Sequence, residues 1–373
     1  MEHDILLASW EFWPYKGGIG RYLYLLAQGL ISTGLRVTVL SPFAPAATSL
    51  AATRLQWPLS PRRWWEPRAL LALRRATEAA KPRLLLLGDD AATAAVAAAG
   101  LLIPLKRLAV RHTALIVHGT ELALWHRRGP RWRARRWLLG TVYRRACFAC
   151  ANSEFTARLL RAGPGAHLPI VVLGGATFRP AAPSMERRGA LTLLSVCRLI
   201  PEKGIDVVLE ALSVLAGRGL RPQYIVIGDG PDRGRLQGLV DKLGLSGQVE
   251  FWGQVQDHIL EQAYAQATAF VLMSRPGDRV EGLGLVLLEA QARGIPVVTS
   301  RSMGIPEAVG DAAVLIDEFT SPDRVADAIA MVLSDPVRRS ELARRGKERA
   351  DGLTPEVMAT RLLTMARERG CLA

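Results

Sequence analysis

Cysteine is scarce in this chain, with four residues (Cys147, Cys150, Cys197 and Cys371) among 373. That is too few for a disulfide scaffold at this length, and a reduced, cytoplasmic compartment is expected. Long apolar runs are also lacking. The best spanning candidate, 91–105, is short, rich in Ala and preceded by Asp89 and Asp90, so it reads as a buried helix and its connection. The opening Met1-Glu2-His3-Asp4 carries acids and does not read as a signal peptide. There is no Asp-x-Asp and no His/Cys ligand set, so no metal site is expected. His3, His112, His126, His167 and His258 share no ligand spacing and read as structural, and Cys147-x-x-Cys150 has no second pair and reads as core. The dinucleotide fingerprint G-x-G-x-x-G is missing too. Gly17-Gly18-Ile19-Gly20 follows a strand and opens a helix, but position 23 is Leu, which disfavours a nicotinamide dehydrogenase.

Hydrophobic residues make up 49% and charged residues 22%, which excludes a disordered chain. At 373 residues, two domains of about 150–190 residues are expected. The net charge of +14 is uneven: residues 1–180 hold 25 Lys+Arg against 9 Asp+Glu, leaving 23 against 25 in the rest. Eight of the nine tryptophans (Trp10, Trp13, Trp57, Trp64, Trp65, Trp125, Trp132, Trp137) fall in that basic half. A GC-rich genome accounts for Arg being 42 of the 48 basic residues but not for the asymmetry. A basic face with tryptophans suits an anionic membrane or a lipid-phosphate acceptor, with nucleic acid as the competing partner.

Apolar runs alternate with helical patterns, which points to parallel α/β sheets. Strands are expected at 4–9, 37–40, 84–87, 114–118 and 148–152, with helices at 19–33 and 153–161; residues 42–68 read as one long irregular segment. Residues 173–189 read as a linker. A second series follows: strands at 191–197, 223–228, 249–252, 269–273 and 296–299, and helices at 204–216, 231–243, 322–333 and 337–350, with Pro231 at its helix's first position. The expected domains are 1–175, with a final helix 355–373 packing back on it, and 190–350. Two doubly wound units place ligands at the carboxyl ends of their strands.

Three motifs sit at such ends. Glu281-Gly282-Leu283-Gly284-Leu285-Val286-Leu287-Leu288-Glu289 spaces two acids around a glycine-rich helix start, where amides near Gly284 and Leu285 suit an anion. Arg198-Leu199-Ile200-Pro201-Glu202-Lys203-Gly204 offers two cations that can both face a diphosphate. Gly228-Asp229-Gly230-Pro231 is a turn at another strand end. The segment from Trp125 to Trp137 holds six arginines and three tryptophans. Within it, Arg131, Trp132, Arg133, Arg135, Arg136 and Trp137 read as an interfacial membrane or acceptor helix, supported by Arg62-Arg63-Trp64-Trp65.

Together with Gly17-Gly18-Ile19-Gly20, His118-Gly119-Thr120-Glu121, Asn152-Ser153 and Gly304-Ile305-Pro306-Glu307, these motifs resemble the family 4 glycosyltransferases, over nearly the whole chain. At Arg279-Val280-Glu281-Gly282-Leu283-Gly284-Leu285 the likeness is to bacterial phosphatidylinositol mannosyltransferases and related hexosyltransferases. Cys197 departs from the family's usual Gly before the Arg.

The resemblance implies the GT-B fold, two Rossmann-like domains facing across a cleft, and metal-independent, retaining transfer of a hexosyl group, mannosyl in the nearest likeness. The donor would be a GDP- or UDP-sugar and the acceptor lipid-linked or glycan, with no cofactor. Arg198 and Lys203 would neutralise the leaving diphosphate, Glu281 hold donor-sugar hydroxyls, Glu289 hold the ribose and His118 sit at the reacting centre. Gly17, Gly18 and Gly228 would bring backbone close to the donor. A peripheral place at the inner face of the plasma membrane is expected, without nucleic acid. The rival readings are a non-hydrolysing sugar-nucleotide epimerase, which would release sugar without an acceptor, and a nucleic-acid-binding protein, which leaves the acidic pair idle.

Overall fold

The computed structural model describes residues 4–14, 17–42, 53–57, 67–102, 110–177 and 191–372. The chain divides into two compact units, residues 1–176 with 353–373, and residues 177–352. Arg62, Arg63, Trp64, Trp65 and most of the expected linker lie outside the described residues.

The first unit runs β1 (Ile5–Ala8), α1 (Gly18–Ser32), β2 (Val37–Ser41), β3 (Thr53–Gln56), α2 (Pro67–Ala80), β4 (Leu84–Leu87), α3 (Asp90–Leu102), β5 (His112–Val117), α4 (Thr120–Ala123), α5 (Pro130–Tyr143), β6 (Phe148–Ala151), α6 (Glu154–Arg161) and β7 (Ile170–Val172). Its seven strands are ordered β3-β2-β1-β4-β5-β6-β7, with every pair parallel. Covered on both faces, the central strands are continuously apolar: all four leucines of β4 are buried. The 42–68 segment is not irregular throughout, because β3 pairs with β2 at the sheet edge. Its Thr-Arg-Leu-Gln sequence is too polar to signal a strand by hydrophobicity. Trp57, just after it, is fully buried and donates its indole N–H to the Ala69 carbonyl at 2.9 Å.

The second unit contains β8 (Thr192–Val196), α7 (Ile205–Gly217), β9 (Gln223–Ile227), α8 (Arg233–Lys242), β10 (Val249–Gly253), α9 (Asp257–Gln266), β11 (Ala269–Leu272), α10 (Leu285–Ala292), β12 (Val297–Ser300), α11 (Ile305–Val309), β13 (Val314–Ile316), α12 (Pro322–Ser334) and α13 (Pro336–Asp351). Strand order is β10-β9-β8-β11-β12-β13, again all parallel. This is the doubly wound order, with the reversal between β8 and β11. Helix α8 starts at Arg233, so Pro231 lies in the preceding turn rather than at the first helical position.

Three helices share one start signal. Ser321-Pro322, Asp335-Pro336 and Thr354-Pro355 each place a capping side chain before a proline, and each cap accepts an amide three residues on. The last of them opens α14 (Pro355–Glu368), which belongs to the first unit. Its buried face of Met358, Ala359, Leu362, Leu363 and Ala366 packs against α1, β6 and β7. Arg361 donates to the Leu173 carbonyl at 2.9 Å.

The α1–α14 contact is made backbone to backbone at Gly29, where a Cβ would lie 1.9 Å from the Pro355 carbonyl oxygen. Gly29→Ala should therefore cost about 1–3 kcal/mol, the usual range for overpacking. Hydrogen exchange should accelerate across 353–372. Gly238→Ala, within α8 with nothing within 4 Å, should be neutral or stabilising. Equal melting temperatures for the two variants would contradict this packing.

Candidate functional site

In the second unit, four loops at the carboxyl ends of β8, β9, β11 and β12 lie against one another. The β8 loop carries Arg198, which is exposed, and Lys203, which is half-buried. Gly204 follows at φ 65°, and a Cβ on it would lie 2.0 Å from the Met273 carbonyl oxygen, so only glycine lets this turn meet the end of β11. The β9 loop joins the β8 loop through its backbone: Leu199 N–H donates to the Asp229 carbonyl at 3.1 Å. Gly228, the first residue of that loop, has φ 125°.

Lys203 Nζ donates to the Glu281 carboxylate, 78 residues away in sequence. Burial works against the lysine's charge, but Glu281 beside it outweighs this and holds the ammonium pKa above its ordinary value. Ser274 Oγ donates to the same carboxylate oxygen at 3.4 Å. Cys197 is a neighbour of the pair. Burial pushes its thiol up to about 12, with Lys203 pulling it down and Glu281 pushing it up, so it is a neutral thiol at pH 7.

The loop before α10 is anchored from the other side by the Gly304 motif. Gly304 N–H donates to the Glu281 carbonyl at 3.1 Å, and a Cβ there would lie 1.9 Å from the Gly282 carbonyl oxygen. Gly284 caps α10 in a left-handed conformation, and Leu285 is the helix's first residue. Glu289, one turn in, is 5% exposed and accepts from the Tyr264 hydroxyl at 3.1 Å. The Arg293 guanidinium lies 4.4 Å over the Tyr264 ring and donates to the Glu289 carbonyl at 2.7 Å. Glu281 and Glu289 thus have different surroundings: the first carboxylate is bound directly by Lys203, while the second accepts from the Tyr264 hydroxyl with Arg293 nearby.

In the first unit, His118 directly follows β5 and is buried. Its Nε2 lies 2.9 Å from the Gly88 carbonyl, which can only accept, so Nε2 carries a proton and Nδ1 points away from this contact. Tyr22 meets the ring edge-on at 5.3 Å and 89°. The His118 amide donates to Glu121 at 2.5 Å, and the Asn152 side chain donates to the His118 carbonyl at 3.4 Å. Gly17 caps α1, and a Cβ on exposed Gly18 would meet nothing within 4 Å.

Asp89 was read from sequence only as a charge flanking a helix. Its buried carboxylate accepts from Ser9 Oγ (2.7 Å) and from the amides of Trp10 (2.6 Å), Glu11 (2.9 Å) and Ala92 (2.8 Å), tying the β1 loop to the start of α3 where the strand order reverses. Burial raises its pKa, and these donors pull it back. An acid directly after an apolar strand and before a helix was the available signal.

The arginine-rich helix α5 is divided. Arg135 pairs with Asp90 at 2.6 Å, and Arg136 donates to the Trp125 and Arg127 carbonyls at 2.9 and 2.6 Å, so both are spent within the fold rather than offered to a surface. Trp132 is half-buried among the guanidinium groups of Arg127, Arg131 and Arg135, 5.2–5.9 Å from its ring. Arg131 and Arg133 are exposed, and Trp137 is 60% exposed. Among the described residues, no helix is long and apolar enough to cross a membrane.

Residues 16–176 match the family model "Glycosyltransferase Family 4", and residues 182–349 match "Glycosyl transferases group 1". The chain is 31% identical over 361 residues, 92% of each chain, to the GDP-mannose-dependent alpha-(1-6)-phosphatidylinositol monomannoside mannosyltransferase of Mycobacterium tuberculosis. Among solved structures it resembles sucrose-phosphate synthase from Thermosynechococcus elongatus, with a TM-score of 0.79 at 21% identity, covering 98% of this chain and 99% of that one. It also resembles Anabaena Alr3699/HepE in complex with UDP and glucose, with a TM-score of 0.76 at 19% identity, covering 98% and 100%. Two wholly parallel, doubly wound units with this motif order, and a relative of that identity along nearly its whole length, place the chain in the family 4 glycosyltransferases, enzymes of the GT-B fold that transfer a sugar from a nucleotide-sugar donor.

Proposed function

We propose that this glycosyltransferase is a metal-independent, retaining hexosyltransferase that moves a mannosyl group from GDP-mannose to a lipid-linked acceptor. The observation that carries the donor half is the Lys203–Glu281 pair among glycine-bearing strand ends of the second unit. Arg198 and Lys203 take the diphosphate and stabilise it as it leaves, the task a divalent ion performs in other transferases. Glu281, released from Lys203, takes donor-sugar hydroxyls, and Glu289 takes the ribose. Amides at Gly284 and Leu285 face the phosphates. The acceptor half belongs to the first unit, where Gly88 and Tyr22 fix the His118 ring so that Nδ1 can contact the sugar or relay a proton. The mannosyl and lipid assignments rest on the similarity to the mycobacterial mannosyltransferase.

The lipid acceptor and the basic first half support docking on an anionic membrane through Arg128, Arg131, Arg133 and Trp137, all exposed. Each cation near such a surface contributes about 1 kcal/mol, screened beyond about 10 Å at 0.1 M salt. Trp137 adds an apolar component that salt does not screen.

Two measurements check this reading. Arg198→Ala and Lys203→Ala should each weaken nucleoside diphosphate binding by about 1.5–3 kcal/mol, roughly 10- to 150-fold in Kd. Glu289→Ala should weaken it as well. Glu281→Gln should bind the free nucleoside diphosphate at least as tightly as the parent, since Lys203 loses its competing partner, while turnover with the whole donor falls at least about tenfold. The opposite split between the two acids would reverse their roles, and loss of activity in EDTA with recovery in manganese would end the metal-independent reading. In vesicle sedimentation, binding to anionic lipid should weaken with salt, and the triple variant Arg128→Glu, Arg131→Glu, Arg133→Glu should abolish it. Indifference to anionic vesicles at low salt would favour a soluble acceptor.

A further inference from the structure

The first unit brings together three side chains that no sequence spacing connects. His112 begins β5, Cys147 precedes β6 by one residue, and Cys371 follows α14. Their candidate ligand atoms all lie within 4.8 Å of one another, and among the described residues this is the one such group of His, Cys, Asp or Glu. Cys147 Sγ lies 3.5 Å from His112 Nδ1. Bonds of about 2.3 Å from zinc to sulfur and about 2.0 Å from zinc to nitrogen, at a tetrahedral angle, separate S and N by about 3.5 Å. The Cys147–His112 spacing is that of two ligands on a shared tetrahedral cation, and Cys371 lies close enough to be a third.

The backbone holds these residues in place without any ion. The Cys147 amide donates to the Thr113 carbonyl at 2.8 Å, which sets it beside the first turn of pleat after His112. The Cys371 amide donates to the Ala366 carbonyl at 2.8 Å, closing the end of α14, and Cys371 is 1% exposed. His112 and Cys147 are half-buried, so a fourth position can be filled by water. Two thiolates and an imidazole are a soft-to-borderline donor set, which selects zinc over magnesium or calcium.

The geometry points to a structural zinc site formed by His112, Cys147 and Cys371, clamping the segment after α14 to the amino-terminal edge of the first sheet. It is separate from the chemistry assigned above. His112 and His118 stand at opposite ends of β5, about 20 Å apart at about 3.3 Å per residue. Binding releases the two thiol protons to solvent and changes no oxidation state.

The experiment is zinc content by mass spectrometry of the full chain after equilibration with zinc chloride and desalting, with melting temperatures measured in parallel. The parent and Cys150→Ala should retain one zinc per chain. His112→Ala, Cys147→Ser and Cys371→Ser should each retain at least tenfold less, and zinc should raise the melting temperature only where it is retained. If the cysteine variants do not fold, cobalt added to the parent should give a thiolate-to-cobalt charge-transfer band. The inference fails if the parent retains no zinc and gives no such band. It also fails if the Cys147→Ser, Cys371→Ser double variant retains the same zinc, or if the intact mass shows a Cys147–Cys371 disulfide in place of metal.

Discussion

An ion pair, Lys203 with Glu281, ties two strand-end loops of the second unit together, and in the proposed function the donor takes its place. Lys203 and Glu281 stand on different strand-end loops and neutralise each other in a half-buried setting. Neither charge is cheaply exposed alone there, because a buried charge without a partner costs several kcal/mol. A ligand that offers an anion to the lysine and hydroxyl donors to the carboxylate replaces both partners at once. A nucleotide diphosphate sugar carries both groups in one molecule. Free phosphate or free sugar has only one, so in the proposed function the intact donor is the ligand that satisfies both partners. The glycines at 204 and 304 are what let the two loops come close enough for this arrangement.

The first unit also holds its strand-end loops together through side chains, here around His118 and Asp89. Gly88 and Asp89 are adjacent residues at the end of β4, and each anchors a different loop: the Gly88 carbonyl takes His118, and the Asp89 carboxylate takes Ser9, Trp10 and Glu11. Because β1, β4 and β5 are neighbours in a parallel sheet, their carboxyl ends emerge along one edge. Gly88 thus touches His118 directly, while its neighbour Asp89 holds the β1 loop beside it.

Much of this was legible in the sequence. Continuous apolar strands such as Leu84–Leu87 mark a sheet covered on both sides, and glycine and charge directly after such strands mark the loops that the structure brings together at Lys203 and Glu281. The pairing of residues 203 and 281 was not legible, since spacing along a chain carries no information about which loops meet. Edge strands were not legible for two physical reasons: Thr53–Gln56 is polar, and Val314–Ile316, though apolar, is only three residues long. Arginines 135 and 136 misled because composition cannot separate a guanidinium facing solvent from one satisfied by Asp90 or by backbone carbonyls. The sequence pairs Cys147 with Cys150 and gives His112 and Cys371 no ligand spacing, and only the docking of α14 brings His112, Cys147 and Cys371 together.

The account stands or falls on the Lys203–Glu281 pair giving way to the donor. A crystal structure of the protein with the nucleoside diphosphate sugar bound measures this directly. The account predicts the diphosphate within hydrogen-bond distance of Lys203 Nζ and the Arg198 guanidinium, with the Glu281 carboxylate parted from Lys203 and turned to sugar hydroxyls. A bound donor that leaves the Lys203–Glu281 pair intact, with its phosphates held elsewhere, would contradict it.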